Sequence, residues 1–304
     1  MLTANRWIAV RHLRALVADT VALMKPGIIS LLLVTTLAAM VVAQAGLPPL
    51  PLVLAVMLGG TLAAGGANAL NHYLERDIDG VMSRTSQRPL PAGRVSPQYA
   101  LVFGLVLGVL SFVLLALTAN LLSAGLAALG YLAYVFIYTL WLKRITPQNV
   151  VIGGVAGAIP PLVGWAAVRG TLDLGALYLF AVIFFWTPPH TWALAMLISN
   201  DYARARIPML PVVRGAAETA WHIWLYSLLL VVLTILPVTV QLFGLIYLIA
   251  AVGLGAWLLA LAWQLLRQPT KPQARRLYKA TLLYLALLFA AMVVDRMVVA
   301  RGIG

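Results

Sequence analysis

Nine runs of about twenty mostly apolar residues fill the chain, at about 27–46, 50–70, 99–118, 122–142, 149–168, 174–198, 220–239, 242–266 and 280–299. A helix of that length crosses the hydrocarbon core of a bilayer, where each backbone N–H and C=O has to be paired within its own segment. The expected fold is therefore all-α: a polytopic membrane helix bundle of nine transmembrane helices, with the lipid bilayer as its solvent. Only 10% of the 304 residues are charged and 63% are hydrophobic, which leaves no polar stretch for a second soluble domain. Residues 27–304 are expected to form one embedded domain. Residues 1–26 are basic and amphipathic and lack a small-residue cleavage site after a short apolar core, so they are read as a cytoplasmic surface segment and not as a signal peptide. Cysteine is absent, which excludes disulfides, a thiolate nucleophile and cysteine-held metal.

The formal net charge of +13 is of a size seen in nucleic-acid binders, but its distribution argues against that partner. The basic residues stand in short loops between apolar runs. Eighteen of them (on the N-terminal side and after runs 2, 4, 6 and 8) fall on one side of the membrane, against Arg169, Arg296 and Arg301 on the other. By the positive-inside rule the N-terminus is cytoplasmic, in a cell (inner) membrane, and the alternation supports the count of nine. The longest loops, after runs 2 and 6, are also on the cytoplasmic side, so the active site is expected there.

The first of these loops follows a run of unusual polarity, Asn68-Ala-Leu-Asn71-His72-Tyr-Leu-Glu75-Arg76-Asp77-Ile-Asp79. At about 100° per residue, positions 68, 71, 75 and 79 share one helix stripe and Asp77 points away from it. Two amides and two carboxylates on one face are oxygen ligands suited to Mg²⁺; the plainer reading is an interfacial acid cluster paired with arginine. Arg84, Arg88 and Arg94 follow at once. Their guanidinium forks, with that of Arg76, suit the free oxygens of a metal-bound diphosphate. Lys143 and Arg144 close run 4, where basic residues commonly snorkel to the interface. Tyr134 and Tyr138 precede them at i, i+4, placed either to shield a carbocation in a cavity or to sit at the lipid interface.

Run 6 carries Trp186-Thr-Pro188-Pro189-His190-Thr-Trp192, and run 5 carries Pro160-Pro161. Tandem prolines remove backbone donors, so both runs are expected to break and to line a cavity. His190 then faces either a ligand or a neighbouring helix. Asp201 follows eleven residues later, on nearly the same face and about 16 Å further along if the helix continues.

Together these residues resemble the UbiA-type intramembrane prenyltransferases, and within them the branch that acts on haem. Asn71, Glu75 and Asp79 fall on the family's first acidic motif, Asn-Asp-x-x-Asp-x-x-x-Asp. The haem-branch runs occur in order as Arg-Pro-Leu-Pro-Ala-Gly-Arg (88–94), Leu-Lys-Arg-Ile-Thr (142–146), Gly-Ala-Ile-Pro-Pro-Leu-Val-Gly-Trp (157–165), Trp-Thr-Pro-Pro-His-Thr-Trp-Ala-Leu (186–194) and Ile-Pro-Met-Leu-Pro-Val (207–212). One departure stands out: the family's second acidic motif, Lys-Asp-Asp-Tyr, is here Ser199-Asn200-Asp201-Tyr202.

The resemblance implies nine helices and Mg²⁺ on Asn71, Glu75, Asp79 and Asp201. Arg76, Arg84, Arg88, Arg94, Lys143 and Arg144 are then implied on the diphosphate, and Tyr134 and Tyr138 around the cation. The implied substrates are farnesyl diphosphate and haem B, whose vinyl group receives the farnesyl chain. His190, Trp186 and Trp192 are the implied acceptor pocket, with His190 as an iron ligand or a polar contact. Haem A synthase or a terminal oxidase is the implied neighbour. Two other readings fit the same residues: a prenyltransferase with a different acceptor, such as an aromatic acid for quinone synthesis, and a carrier or assembly subunit without catalysis. The charge asymmetry gives a direct test of orientation. Single cysteines introduced at Ser86 and Arg214 should be shielded from an impermeant thiol reagent added outside intact cells, whereas one at Gly170 should label; equal labelling of 86 and 170 contradicts the nine-span topology.

Overall fold

The structure, a computed structural model, describes residues 14–300, with side chains up to residue 298. The expected amphipathic segment falls largely outside the described residues, as do Arg6, Arg11 and Arg301. Among the described residues nine helices are long and apolar enough to cross a membrane. They are α1 (Pro26–Gln44), α2 (Leu50–Leu74), α3 (Pro97–Thr118), α4 (Leu121–Ile145), α5 (Asn149–Arg169), α6 (Leu174–Leu197), α7 (Gly215–Thr239), α8 (Leu245–Arg267) and α9 (Lys271–Ala300). The expected runs each match one helix. The largest boundary error is at α9, which begins at Lys271 and takes up basic residues assigned to a loop. Lys and Arg tolerate the first turns of a spanning helix by keeping their charges at the interface.

Small residues let the helices approach closely where water offers no hydrophobic drive for them to associate. Between α2 and α3, a Cβ on Gly66 would lie 2.7 Å from the carbonyl oxygen of Gly104, and one on Gly104 would lie 2.9 Å from that of Gly66. The same two helices are tied by Ser111 Oγ donating to the Gly59 carbonyl at 2.7 Å. Tyr131 of α4 donates to the Gly104 carbonyl at 2.9 Å. Outward-facing side chains such as Leu54, Val109, Leu117 and Ile249 are large, apolar and exposed, as a lipid-facing surface requires.

Two expectations about irregular backbone are corrected. Both proline pairs lie inside continuous helices, Pro160-Pro161 in α5 and Pro188-Pro189 in α6. Each pair leaves two carbonyls one turn back without their usual donor, but both segments remain helical throughout. The irregular segment is instead in α4, where residues Ala133–Leu142 wind as a π-helix, a form common at functional sites.

An acid unused by the sequence reading organises the far end of the bundle. Asp295 of α9 is 1% exposed. Its carboxylate accepts from the backbone N–H groups of Gly244 at 2.7 Å and Tyr247 at 3.0 Å, capping α8 from a different helix. Asp295→Ala should lower thermal stability in detergent by roughly 1–3 kcal/mol, since two donors to a charged acceptor are left unpaired. An unchanged melting temperature would remove this cap from the account of the fold.

Candidate active site

The site is built where α2 ends. The helix stops at Leu74, and Glu75 turns out of helical geometry at φ −100°, ψ 10° before a short helical turn, Arg76–Asp79. The expected single stripe is therefore interrupted. Asn71, Glu75 and Asp79 are nonetheless each 2% exposed. Asn68 is spent on structure, its amide donating to the Met24 carbonyl at 2.8 Å.

Buried carboxylates have to be paired, and here each pairs with a cation from another segment. Glu75 is bonded to Lys143 at the end of α4. Both oxygens of Asp79 lie 2.8 Å from an Arg88 Nη1 donor. Asn71 accepts from Lys25 Nζ at 2.6 Å and donates to Thr139 of the π-helix at 3.1 Å. Burial alone would push the Glu75 carboxyl up. The Lys143 charge and hydrogen bond outweigh it, and the group is held below the usual glutamate range. Lys25 is driven the other way: burial first, then the nearby Arg88 guanidinium, lower its ammonium to about 7.

Lys25 is the functional candidate that the sequence reading missed. It stands just before α1 with left-handed φ 57°, ψ 66°, a costly conformation for a non-glycine residue. It is held there by its neighbours. Leu23 is fully buried against Ala69, Leu90, Val95 and Ala100, and Asp19 pairs with Arg94 at 2.9 Å. The only available signal was a lysine directly before Pro26.

The remaining basic candidates divide. Arg94 is committed to Asp19 and to the Gln87 carbonyl. Arg144 makes a bidentate pair with the outward-facing Asp77, 2.9 Å on each arm, and Arg76 lies over the Tyr73 ring. These three serve the loop's own structure, because surface acids and carbonyls reach them first. Arg84 is exposed beside the site.

Asp201 lies beyond α6, which ends at Leu197. The helix does not continue to it; a separate turn, Ser199–Arg204, carries it. Its oxygens accept from Ser83 Oγ at 2.8 and 3.0 Å and it pairs with Arg204. Ser83 first, and Arg204 with it, hold its carboxyl below the usual range against the effect of burial. Among the described residues no three His, Asp or Glu side chains approach closely enough to share one ion. The oxygen donors suit a hard divalent cation held by one or two carboxylates, with waters and phosphate oxygens completing the shell. They do not form a closed four-ligand cage.

Beside this chamber lies a cavity of about 650 Å³ walled by α1, α2, α4, α5, α6 and α9, within the size range of small-molecule sites. Tyr134 and Tyr138 line it, stacked with centroids 5.6 Å apart, and Asn68 reaches it at the chamber end. Trp186 and His190 line it from α6. Trp192 does not: it is fully buried and packs edge-on to His222 and Tyr226. Six residues separate the two tryptophans, a spacing of about 240° around a helix, so they cannot share a face.

The nine-helix bundle with its paired acids and apolar cavity is that of an intramembrane prenyl-transfer fold, and the chain belongs to the UbiA prenyltransferase family, whose pattern matches residues 32–292. Within it, the chain is 54% identical to a protoheme IX farnesyltransferase of Symbiobacterium thermophilum, over 92% of this chain and 94% of that one. It is also 54% identical to one of Chloroflexus aurantiacus, over 94% of this chain but 49% of the relative; the chain spans about half the length of that protein. Among solved structures, a digeranylgeranylglyceryl phosphate synthase has TM-score 0.78 at 20% identity, covering 92% of this chain and 98% of that one. A UbiA homolog from Archaeoglobus fulgidus bound to DMAPP and Mg²⁺ has TM-score 0.63 at 15% identity, covering 90% and 99%. These two share the fold.

The Ser83 contact predicts a pH effect. A carboxyl with a depressed pKa keeps its pairing above the unfolded value of about 3.9 and loses it as pH falls through the folded one. The infrared carboxyl band removed by Asp201→Asn should titrate at higher pH in Ser83→Ala than in the parent chain. Identical titration would mean that Ser83 does not hold the carboxylate.

Proposed function

We propose that this chain transfers the farnesyl group of farnesyl diphosphate to a vinyl group of protohaem IX, giving haem O, at the cytoplasmic face of a cell membrane. One observation carries the reading: a chamber of buried, cation-paired carboxylates opens beside an apolar, aromatic-lined cavity. Prenyl transfer needs both. The diphosphate leaving group requires concentrated positive charge, and the allylic cation requires a wall without water. The relatives named protoheme IX farnesyltransferase support haem as the acceptor.

In this reading Glu75, Asp79, Asn71 and, across the loop, Asp201 would supply oxygen ligands to Mg²⁺, with waters and diphosphate oxygens completing the shell because the three carboxylates do not converge on one point. When bound, the ion supplies Lewis-acid neutralisation of the departing diphosphate. Lys25, Arg88 and Lys143 exchange their carboxylate and amide partners for diphosphate oxygens, so the site remains neutralised before and after the substrate arrives. Arg84 is placed to add a further contact. Tyr134 and Tyr138 present their ring faces to the farnesyl cation, and the prenyl chain lies along the small-residue wall at Gly60, Ala64 and Gly153. A terminal oxidase or haem A synthase is the proposed recipient of the product.

The full chain in detergent, given farnesyl diphosphate, Mg²⁺ and haem B, should release diphosphate and yield a farnesylated haem by mass. Release only with an aromatic acid would transfer the chain to another acceptor class, and no release with any acceptor would favour a carrier. Glu75→Gln and Asp79→Asn should each lower turnover roughly a hundredfold. Asp77→Asn, an exposed pair worth about 0–1 kcal/mol, should change it less than about fivefold.

A further inference from the structure

The cavity contains one imidazole, and its hydrogen bonds determine which nitrogen carries the proton. His190 Nδ1 lies 2.9 Å from Thr281 Oγ1 on α9. That hydroxyl has a single proton and also lies 2.7 Å from the Tyr278 carbonyl, which can only accept. Both contacts are made together only when the hydroxyl proton points at Tyr278 and Thr281 offers His190 a lone pair, so in that arrangement Nδ1 is the donor. A neutral imidazole has one N–H and one lone pair, so the lone pair is on Nε2. No hydrogen bond reaches Nε2 among the described residues, and the residue lines the cavity.

The ring is also fixed in orientation. It stacks on Trp186 with centroids 4.3 Å apart and planes 16° apart, and on Tyr278 at 4.9 Å and 28°. Trp186 is itself anchored by its indole N–H to the Thr281 carbonyl at 2.8 Å. A histidine that donates one ring N–H to a fixed oxygen while the other nitrogen stays bare is the arrangement by which proteins prepare an imidazole for metal.

We propose that His190 Nε2 is an axial ligand to the iron of the haem acceptor, with Thr281 as the residue that sets its tautomer. The proposal rests on haem being the acceptor. The step is a dative bond from Nε2 to iron; the Nδ1 proton stays on the Thr281 contact and no electron is transferred. Its role is positional. One bond from α6 to the iron fixes the porphyrin's height and tilt in a wall that is mostly apolar, and a vinyl group at the ring edge is thereby held in reach of the farnesyl carbon. His190 lies about seven residues, or roughly 10 Å, from the end of α6, which separates the iron from the diphosphate chamber.

The experiment compares haem B with iron-free protoporphyrin IX, each titrated into the full chain in detergent, with farnesyl diphosphate binding measured on the same samples. His190→Ala should weaken haem binding roughly tenfold or more, shift its absorption bands and leave protoporphyrin IX binding unchanged; added imidazole should restore the haem spectrum. Thr281→Val keeps the ring and the main-chain carbonyl that holds Trp186, and should weaken haem binding about tenfold, in the range for a ligand's orienting partner. Equal losses for the two porphyrins, or an unshifted haem spectrum in His190→Ala, overturn the coordination. If His190→Ala also loses farnesyl diphosphate binding, Thr281→Val decides by the same comparison. A parent chain that binds farnesyl diphosphate but neither porphyrin overturns the acceptor reading, and the iron ligand with it.

Discussion

Two carboxylates that are almost wholly buried at a membrane edge require positive partners, and meeting that requirement determines how the surrounding segments are arranged. Glu75 and Asp79 lie four residues apart, yet their partners come from the end of α4 and from the loop before α3. Asn71, four residues before Glu75, is joined to the residue that precedes α1. Charge neutralisation thus ties α1, α2 and α4 and the 84–94 loop into one structure. Removing one partner would leave the other charge uncompensated in a low-dielectric setting, a larger penalty than the pair is worth intact. The same pairing preorganises the site for an anionic substrate, because the cations are already in place.

Much of this was legible from local pattern. The nine helices follow from length and hydropathy, and Asn71, Glu75, Asp79, Arg88 and Lys143 could be named because acids and bases are too rare in this chain to be incidental. The orientation of Asp77 followed from helix arithmetic across a single turn. Reading failed where a residue's role is set by a distant segment. Lys25 enters the site only because Leu23 and Asp19 dock on the 90s loop and force a left-handed turn. Asp295 caps a helix to which it is not joined in sequence. Trp192 was grouped with Trp186 by proximity in sequence, although a helix rotates them to different faces.

The prolines and the π-helix offer a second lesson about spanning helices. A tandem proline marks where backbone acceptors are left free, but the helix continues through both pairs here, so a helix break does not follow. The π-helix carries no such mark, and its segment Ala133–Leu142 reads as an ordinary apolar run. It sets Tyr134 and Tyr138 parallel along the cavity and brings Thr139 to Asn71, linking the cavity wall to the acid chamber through one widened stretch of α4.

The distance in sequence between Glu75 and its partner also bears on how the molecule is made. Lys143 lies 68 residues downstream. At roughly 5–20 residues per second, a ribosome needs several seconds to deliver it. During that interval Glu75 is without its hydrogen-bonded partner, and only the nearby Lys25 and Arg88 charges offset it. A buried acid needs a bonded cation, so full burial of this end of α2 follows the insertion of α4.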